Sequence, residues 1–120
     1  MKVFISQPMK GLTDEQILRN RKAIMDKYHI SEKDVIDTIH KENVPANATA
    51  AWYLGNSISQ MSEADLVIFA EDWDQANGCL IEHMTCLRYD IPFIIDERVG
   101  DRRSTRVSYY GPRRRNNYDD

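Results

Sequence analysis

The chain is poor in the residues that punctuate or staple a fold. Five glycines and four prolines among 120 residues exclude collagen-like, linker-rich and low-complexity architectures. Two cysteines, Cys79 and Cys86, exclude a disulfide scaffold. On one helix they would lie about 10 Å apart along the axis, beyond disulfide reach. There is no long apolar run. The opening MKVFISQPM lacks the apolar stretch and cleavage site of a signal peptide, and no segment approaches a membrane span. A cytoplasmic protein with no membrane partner is the expectation. Basic charge is not in excess either. The formal net charge is -3, whereas a nucleic-acid binder is expected to be basic overall, so no nucleic-acid partner is expected. Two phosphate fingerprints are also missing: there is no G-x-G-x-x-G, and the first loop lacks the Lys-Ser/Thr pair of a Walker A motif.

What is present is the composition of an ordinary globular domain, 42% hydrophobic and 29% charged. The length suits one domain and is enough to bury a core without staples. Charge is unevenly spread. Residues 97–120 carry seven Arg against four acids, or +3, which leaves -6 on the rest. Such a tail reads as a solvated terminus or as a local phosphate or oligomer contact.

The hydrophobic pattern alternates between strand and helix. Val3, Phe4 and Ile5 form a short apolar run closed by Gln7-Pro8 and Gly11, which predicts a buried strand and a loop. Thr13 with Gln16 fits a capping box, Asp14 and Glu15 suit a first turn, and Ile17, Ala23, Ile24 and Tyr28 give an apolar stripe over 14–28. Glu15 and Arg19 are spaced for an i,i+4 ion pair. DVIDT at 34–38 is short and β-branched and reads as a second strand, with a helix capped by Ser31 as the alternative. A loop over 40–48 follows, then a helix over 50–61 in which Trp52, Leu54, Ile58 and Met61 are available for packing. Leu66-Val67-Ile68-Phe69-Ala70 is the clearest buried strand. After a polar loop, Gly78 opens a helix whose Leu80, Ile81, Met84 and Leu87 lie on one side. A strand over 91–95 comes next, and 107–110 reads as an extra edge strand. The order β-α-β-α-β-α-β predicts an α/β fold, a small doubly wound parallel sheet of the flavodoxin or Rossmann kind. Ligands then bind at the carboxyl ends of the strands, which singles out the loops 6–12, 38–48 and 71–78.

Chemistry-bearing residues gather on two of those loops. Glu82, near the start of the helix opened by Gly78, should be kept ionised by the helix N-terminus. An ionised, held carboxylate is what attack on a sugar C1′ needs; the plain alternative is a helix-dipole glutamate. Asp72 and Asp74 are placed to protonate a leaving base or to face solvent. Trp73 suits stacking on a base or capping the core. Asn77 and Gly78 adjoin them. Ser6, Gln7, Pro8, Met9 and Gly11 form a loop that leads into free helix N–H groups and suits gripping a nucleoside. Cys79, His83 and Cys86 fall on one helical face, but three ligands from one helix match zinc spacing poorly. They read as small packing residues, and no metal is assigned. Cys79 as a nucleophile has no evident activating base.

The segment ADLVIFAEDWDQANGCLIEHMTCLRYDIPFI resembles the core of the nucleoside 2-deoxyribosyltransferase family, whose superfamily includes deoxynucleoside 5′-monophosphate N-glycosidases. The shared pattern is an Ala-Asp-led strand (Ala64-Asp65), a loop, then Gly-x-x-x-Glu at a helix start (Gly78, Glu82). The opening VFISQPMKG resembles that family's first strand and nucleoside-gripping loop. The resemblance covers residues 3–96. It implies a deoxyribosyltransferase-like domain over 1–96 followed by an Arg-rich tail over 97–120. It also implies cleavage or transfer at an N-glycosidic bond with Glu82 as nucleophile, a nucleoside or nucleotide substrate, no cofactor, and a homo-oligomer that completes its sites across subunits. Spare aromatics (Trp52, Tyr53, Tyr109, Tyr110) fit an oligomer. There are departures. The family's catalytic Asp, eight residues before the strand-leading Asp, is Ser57 here. Its sugar- or phosphate-contacting residue six before the Glu is Ala76, and its Gly two before the Glu is Leu80. These keep open an alternative function, that of a non-catalytic protein that holds a nucleotide, for example a signalling one.

Overall fold

A computed structural model describes residues 1–38, 44–96 and 108–110, the last three as backbone only. The first apolar run forms strand β1 (Val3–Ser6), with all four residues buried. Strand β2 (Leu66–Phe69) pairs with it in parallel, Val3 opposite Leu66 and Ser6 opposite Phe69. Strand β3 (Phe93–Ile95) adds to β2 in parallel, and β4 (Ser108–Tyr110) closes the edge antiparallel to β3. The sheet order is β1-β2-β3-β4. β1 and β2 read as continuous apolar runs because both of their faces are covered. Val3, Ile5 and Ile68 join one core cluster with Ile24 and Met25 of helix α1 (Asp14–Lys27). Phe4, Val67, Phe69 and Phe93 join the other, with Met61 of α2 (Ala50–Met61) and Cys86 of α3 (Asn77–Tyr89). Period-2 alternation along the strands thus assigns α1 to one face and α2 and α3 to the other.

Helix α1 begins as its residues dictate. Gln16 N–H donates to Thr13 Oγ1 (3.1 Å) and Thr13 N–H donates to Gln16 Oε1 (2.9 Å), a complete capping box. It ends where His29 turns left-handed, at φ 57°. The i,i+4 ion pair found on it is Lys22–Asp26 (2.7 Å). Thr49 caps α2 through a bond from Trp52 N–H, and Asp90 (φ 58°) ends α3.

Three expectations are corrected. Residues 34–38 do not form a strand. A single 3-10 turn, Glu32–Asp34, takes the start of the segment. Only Val35 bridges to Val3, with Ile36 N–H donating to Val3 O at 2.9 Å. The segment is held elsewhere: buried Arg21 reaches Glu32 (3.3 Å) and Asp37 (3.4 Å), and Gln60 Nε2 donates to Asp37 O. These ties from α1 and α2 stop a ladder from extending along β1. Ala23 is exposed, and Met25 takes its expected place in the core. The third correction concerns α3, whose core-facing residues are Cys79, Glu82 and Cys86, while Leu80, Ile81 and Met84 are exposed. The middle of the 38–48 loop, Val107 and the rest of the Arg-rich tail lie outside the described residues.

Met61 is fully buried, and its sulfur lies 4.0 Å from Cys86 Sγ, where α2 meets α3. Met61→Ala should destabilise the protein by about 2–5 kcal/mol. Urea unfolding checks this as a lowered midpoint at unchanged slope.

Candidate active site at the strand ends

β1 and β2 run parallel, so the loops that follow Ser6 and Phe69 leave the same end of the sheet. The pleat turns Ser6 toward the α3 side, the side Phe4 faces, and the next residue, Gln7, toward α1. Ser6 Oγ donates to Glu82 Oε1 at 2.6 Å, between residues 76 positions apart. Both are buried, Ser6 at 2% exposure and Glu82 at 6%. Glu82 is the sixth residue of α3, in its second turn, where the dipole of the helix start has faded. Burial therefore decides its charge and pushes the carboxyl up to about 7, against the smaller opposing pull of the Ser6 hydrogen bond. The expectation of a carboxylate ionised by the helix end is overturned. Burial favours the protonated form of Glu82 over that of an exposed glutamate.

The neighbouring thiols are inert. Burial first, and the adjacent Glu82 charge in lesser part, push Cys79 up to about 11 and Cys86 to about 12. Neither is a thiolate at neutral pH, so Cys79 is not a ready nucleophile. His83 stacks on Trp73, with centroids 4.4 Å apart, and meets Phe69 and Phe93 edge-on. Burial lowers its pKa. Trp73 is half-buried against Phe69 and His83, so its ring packs at the end of the core and its stacking partner is His83. Among the described residues, no three His, Cys, Asp or Glu side chains gather as a metal site would require.

On the α1 side, the same strand ends border an open cleft of about 260 Å3. Gln7 and Pro8 from the first loop and Glu71 and Asp72 from the second line it together, with Asn20 of α1 and Asp96. Gln7 is buried. Its Nε2 donates to Ile17 O (3.2 Å), while its Oε1 has no partner among the described groups. Asp72 holds a left-handed conformation (φ 68°) that opens the 3-10 turn Trp73–Gln75. Asp96 accepts from Lys27 (2.6 Å) and Tyr28 (2.9 Å). The walls carry carboxylates and neutral amides.

The sequence-predicted residues fall into three groups. Ser6 meets Glu82 directly. Gln7, Pro8 and Asp72 share the cleft. Met9, Gly11, Ser57, Trp73, Asp74, Asn77 and Gly78 are not on its wall. Leu12 N–H closes a turn onto Met9 O, which Gly11 permits at φ 82°. Asp74 and Asn77 are exposed, and Ser57 is half-buried on α2. Asn20 and Asp96 were missed, and Glu71 lies in the singled-out loop 71–78 without having been named as a site residue. Asp96 carried a signal, because it is the first residue past β3 and so lies at a strand's carboxyl end. Comparison with known protein families, curated proteins and solved structures returned no match.

Burying Glu82 has a sign-definite cost. Its folded pKa lies above the ordinary 4.5. Between about pH 4.5 and 7 the unfolded chain therefore sheds this proton before the folded one, and stability falls as pH rises. Above about 7 the loss levels off near 3 kcal/mol. Glu82→Gln keeps the shape and the Ser6 bond without the charge. Calorimetry should show it raising Tm by roughly 10 °C at about pH 8 and by little near pH 4.5. No gain at the higher pH would contradict a buried, desolvated Glu82.

Proposed function

We propose that the protein is a cytoplasmic nucleoside N-glycosidase or deoxyribosyltransferase-like enzyme built on a small doubly wound sheet, with Glu82 as its nucleophile. One observation carries the reading: Ser6 and Glu82, from opposite ends of the described domain, meet at the carboxyl ends of the parallel strands. The resemblance around Gly78-x-x-x-Glu82 supplies the chemistry. The Glu82 carboxylate bonds to C1′ of the sugar as the N-glycosidic bond breaks. The bonding pair leaves with the base, which takes a proton from Asp72, the one of the two candidate loop acids that borders the cleft. Water, or a second base, then attacks C1′, returns a proton to that loop carboxylate and frees Glu82. Ser6 donates to Glu82 throughout and so favours the ionised, nucleophilic form. The carboxylates and amides of the cleft wall suit sugar hydroxyls and exocyclic amines better than a phosphate. They support an unphosphorylated nucleoside as substrate. The two buried, unpaired cysteines fit a reducing compartment, and no helix among the described residues is long and apolar enough to cross a membrane.

A second reading, nucleotide binding without cleavage, is favoured by the position of Glu82. It is 6% exposed and is not part of the cleft wall that Gln7 and Asp72 share. Base release from nucleosides, followed by chromatography, separates the two. The enzyme reading expects activity that rises with pH as Glu82 ionises through about 7, and Glu82→Gln should lower it by several orders of magnitude with little change in binding. Ser6→Ala should move the pH limb upward, because it removes the bond that favours the charged form. Binding without any released base across the nucleoside panel would establish the second reading instead.

A further inference from the structure

The polar side chains around the cleft on the α1 side are mostly hydrogen-bond acceptors. Glu71, Asp72 and Asp96 bring carboxylates, and among the described residues no Lys, Arg or His borders it. Asn20 is exposed, so its amide can present either end. Gln7 has no such choice. It is 6% exposed, and its Nε2 donates to Ile17 O at 3.2 Å. Turning the amide over would set Oε1 against that carbonyl, acceptor against acceptor. Oε1 is therefore the polar atom that this side chain has left for the cleft it borders, and it has no partner among the described groups. A buried amide oxygen without a donor costs the folded chain free energy, which a ligand N–H would recover. The wall is complementary to a ligand that donates.

We propose that the cleft is the base subsite of the nucleoside reading above, on which this inference rests, and that it selects bases with an exocyclic amino group, adenine and cytosine, over their oxo counterparts, hypoxanthine and uracil. Topology places the base there. Ser6 and Gln7 are consecutive and turn to opposite sides of the sheet, so a C1′ held at Glu82 beside Ser6 is one residue away from the cleft that Gln7 borders. The base is joined directly to C1′ and is the part of the nucleoside that reaches across the end of β1. Asp72, which protonates the base, stands on the same wall. Hydrogen-bond polarity then sets the choice. An amino group donates one N–H to Gln7 Oε1 and keeps a second for a carboxylate. An oxo group in its place turns an acceptor toward the same oxygen, leaves Oε1 unpaired and buries a second acceptor without a donor. Sugar hydroxyls both donate and accept, so a wall of acceptors discriminates among bases and not among sugars.

Two matched pairs test this on the full chain: 2′-deoxyadenosine against 2′-deoxyinosine, and 2′-deoxycytidine against 2′-deoxyuridine. Each pair exchanges the amino group for an oxo group. Calorimetric dissociation constants and, where base is released, kcat/KM should favour the amino member of both pairs by roughly 100-fold. Gln7→Met keeps the length of the side chain without its acceptor. It should shrink both ratios by about tenfold or more, whatever it does to the rates themselves. The wild-type ratios decide the matter alone if that variant fails to fold. Oxo members bound and cleaved as well as amino members would overturn the inference and leave the proposed function standing. A preference that Gln7→Met leaves intact would overturn it too. Amino-selective binding with no base released from any of the four would keep the inference and remove the enzyme reading. No binding of any of the four at millimolar concentration would overturn both.

Discussion

Everything at the candidate site depends on the two-sided burial of β1 and β2. Four-residue strands have few ladder bonds, so their position is set by side chains packed above and below. Val3, Ile5 and Ile68 are locked against α1, and Phe4, Val67 and Phe69 against α2 and α3. That packing fixes the parallel register, and the register brings the ends of the two strands level. Only then do Ser6 of β1 and Glu82 of α3 come within 2.6 Å.

The candidate site carries a cost in stability. A glutamate on the inner face of α3 occupies a position that an apolar residue would fill at lower cost, and its neighbours there are thiols held protonated by the same burial. The low polarity that penalises the charge of Glu82 would also make its carboxylate a stronger nucleophile once ionised. Ser6 moderates the penalty by a single hydrogen bond. Such residues persist where they serve a function rather than the fold.

Elements whose periodicity has one interpretation were legible in the sequence. The capping box of Thr13 and Gln16, the bounds of α2, the apolar run of β2 and the edge strand near 107–110 all emerge close to where the residues place them. Segment 34–38 was not legible, because its β-branched residues are overruled by tertiary ties from Arg21 and Gln60 that no local pattern announces. The orientation of α3 was misread for a related reason. Both of its faces are apolar, and periodicity says that two faces exist without saying which is inward. The state of Glu82 was misjudged because position along a helix is visible in sequence and depth of burial is not. The rule for open parallel sheets singled out the two loops that the structure brings to one cleft, and the same rule pointed to Asp96, which was passed over.

The adjacency of Ser6 and Gln7 has a further consequence. One peptide bond separates a residue facing the α3 compartment from one facing the α1 cleft, and the pleat alone decides which goes where. Inserting or deleting a single residue within β1 would exchange the two assignments, sending an amide toward Glu82 and a hydroxyl toward the cleft. Indels in this strand therefore change which side chain faces Glu82, although they alter no side chain at either position. In a lineage of such proteins, the phase of β1 would be held more tightly than its composition: aliphatic residues can interchange along it, but its length cannot vary.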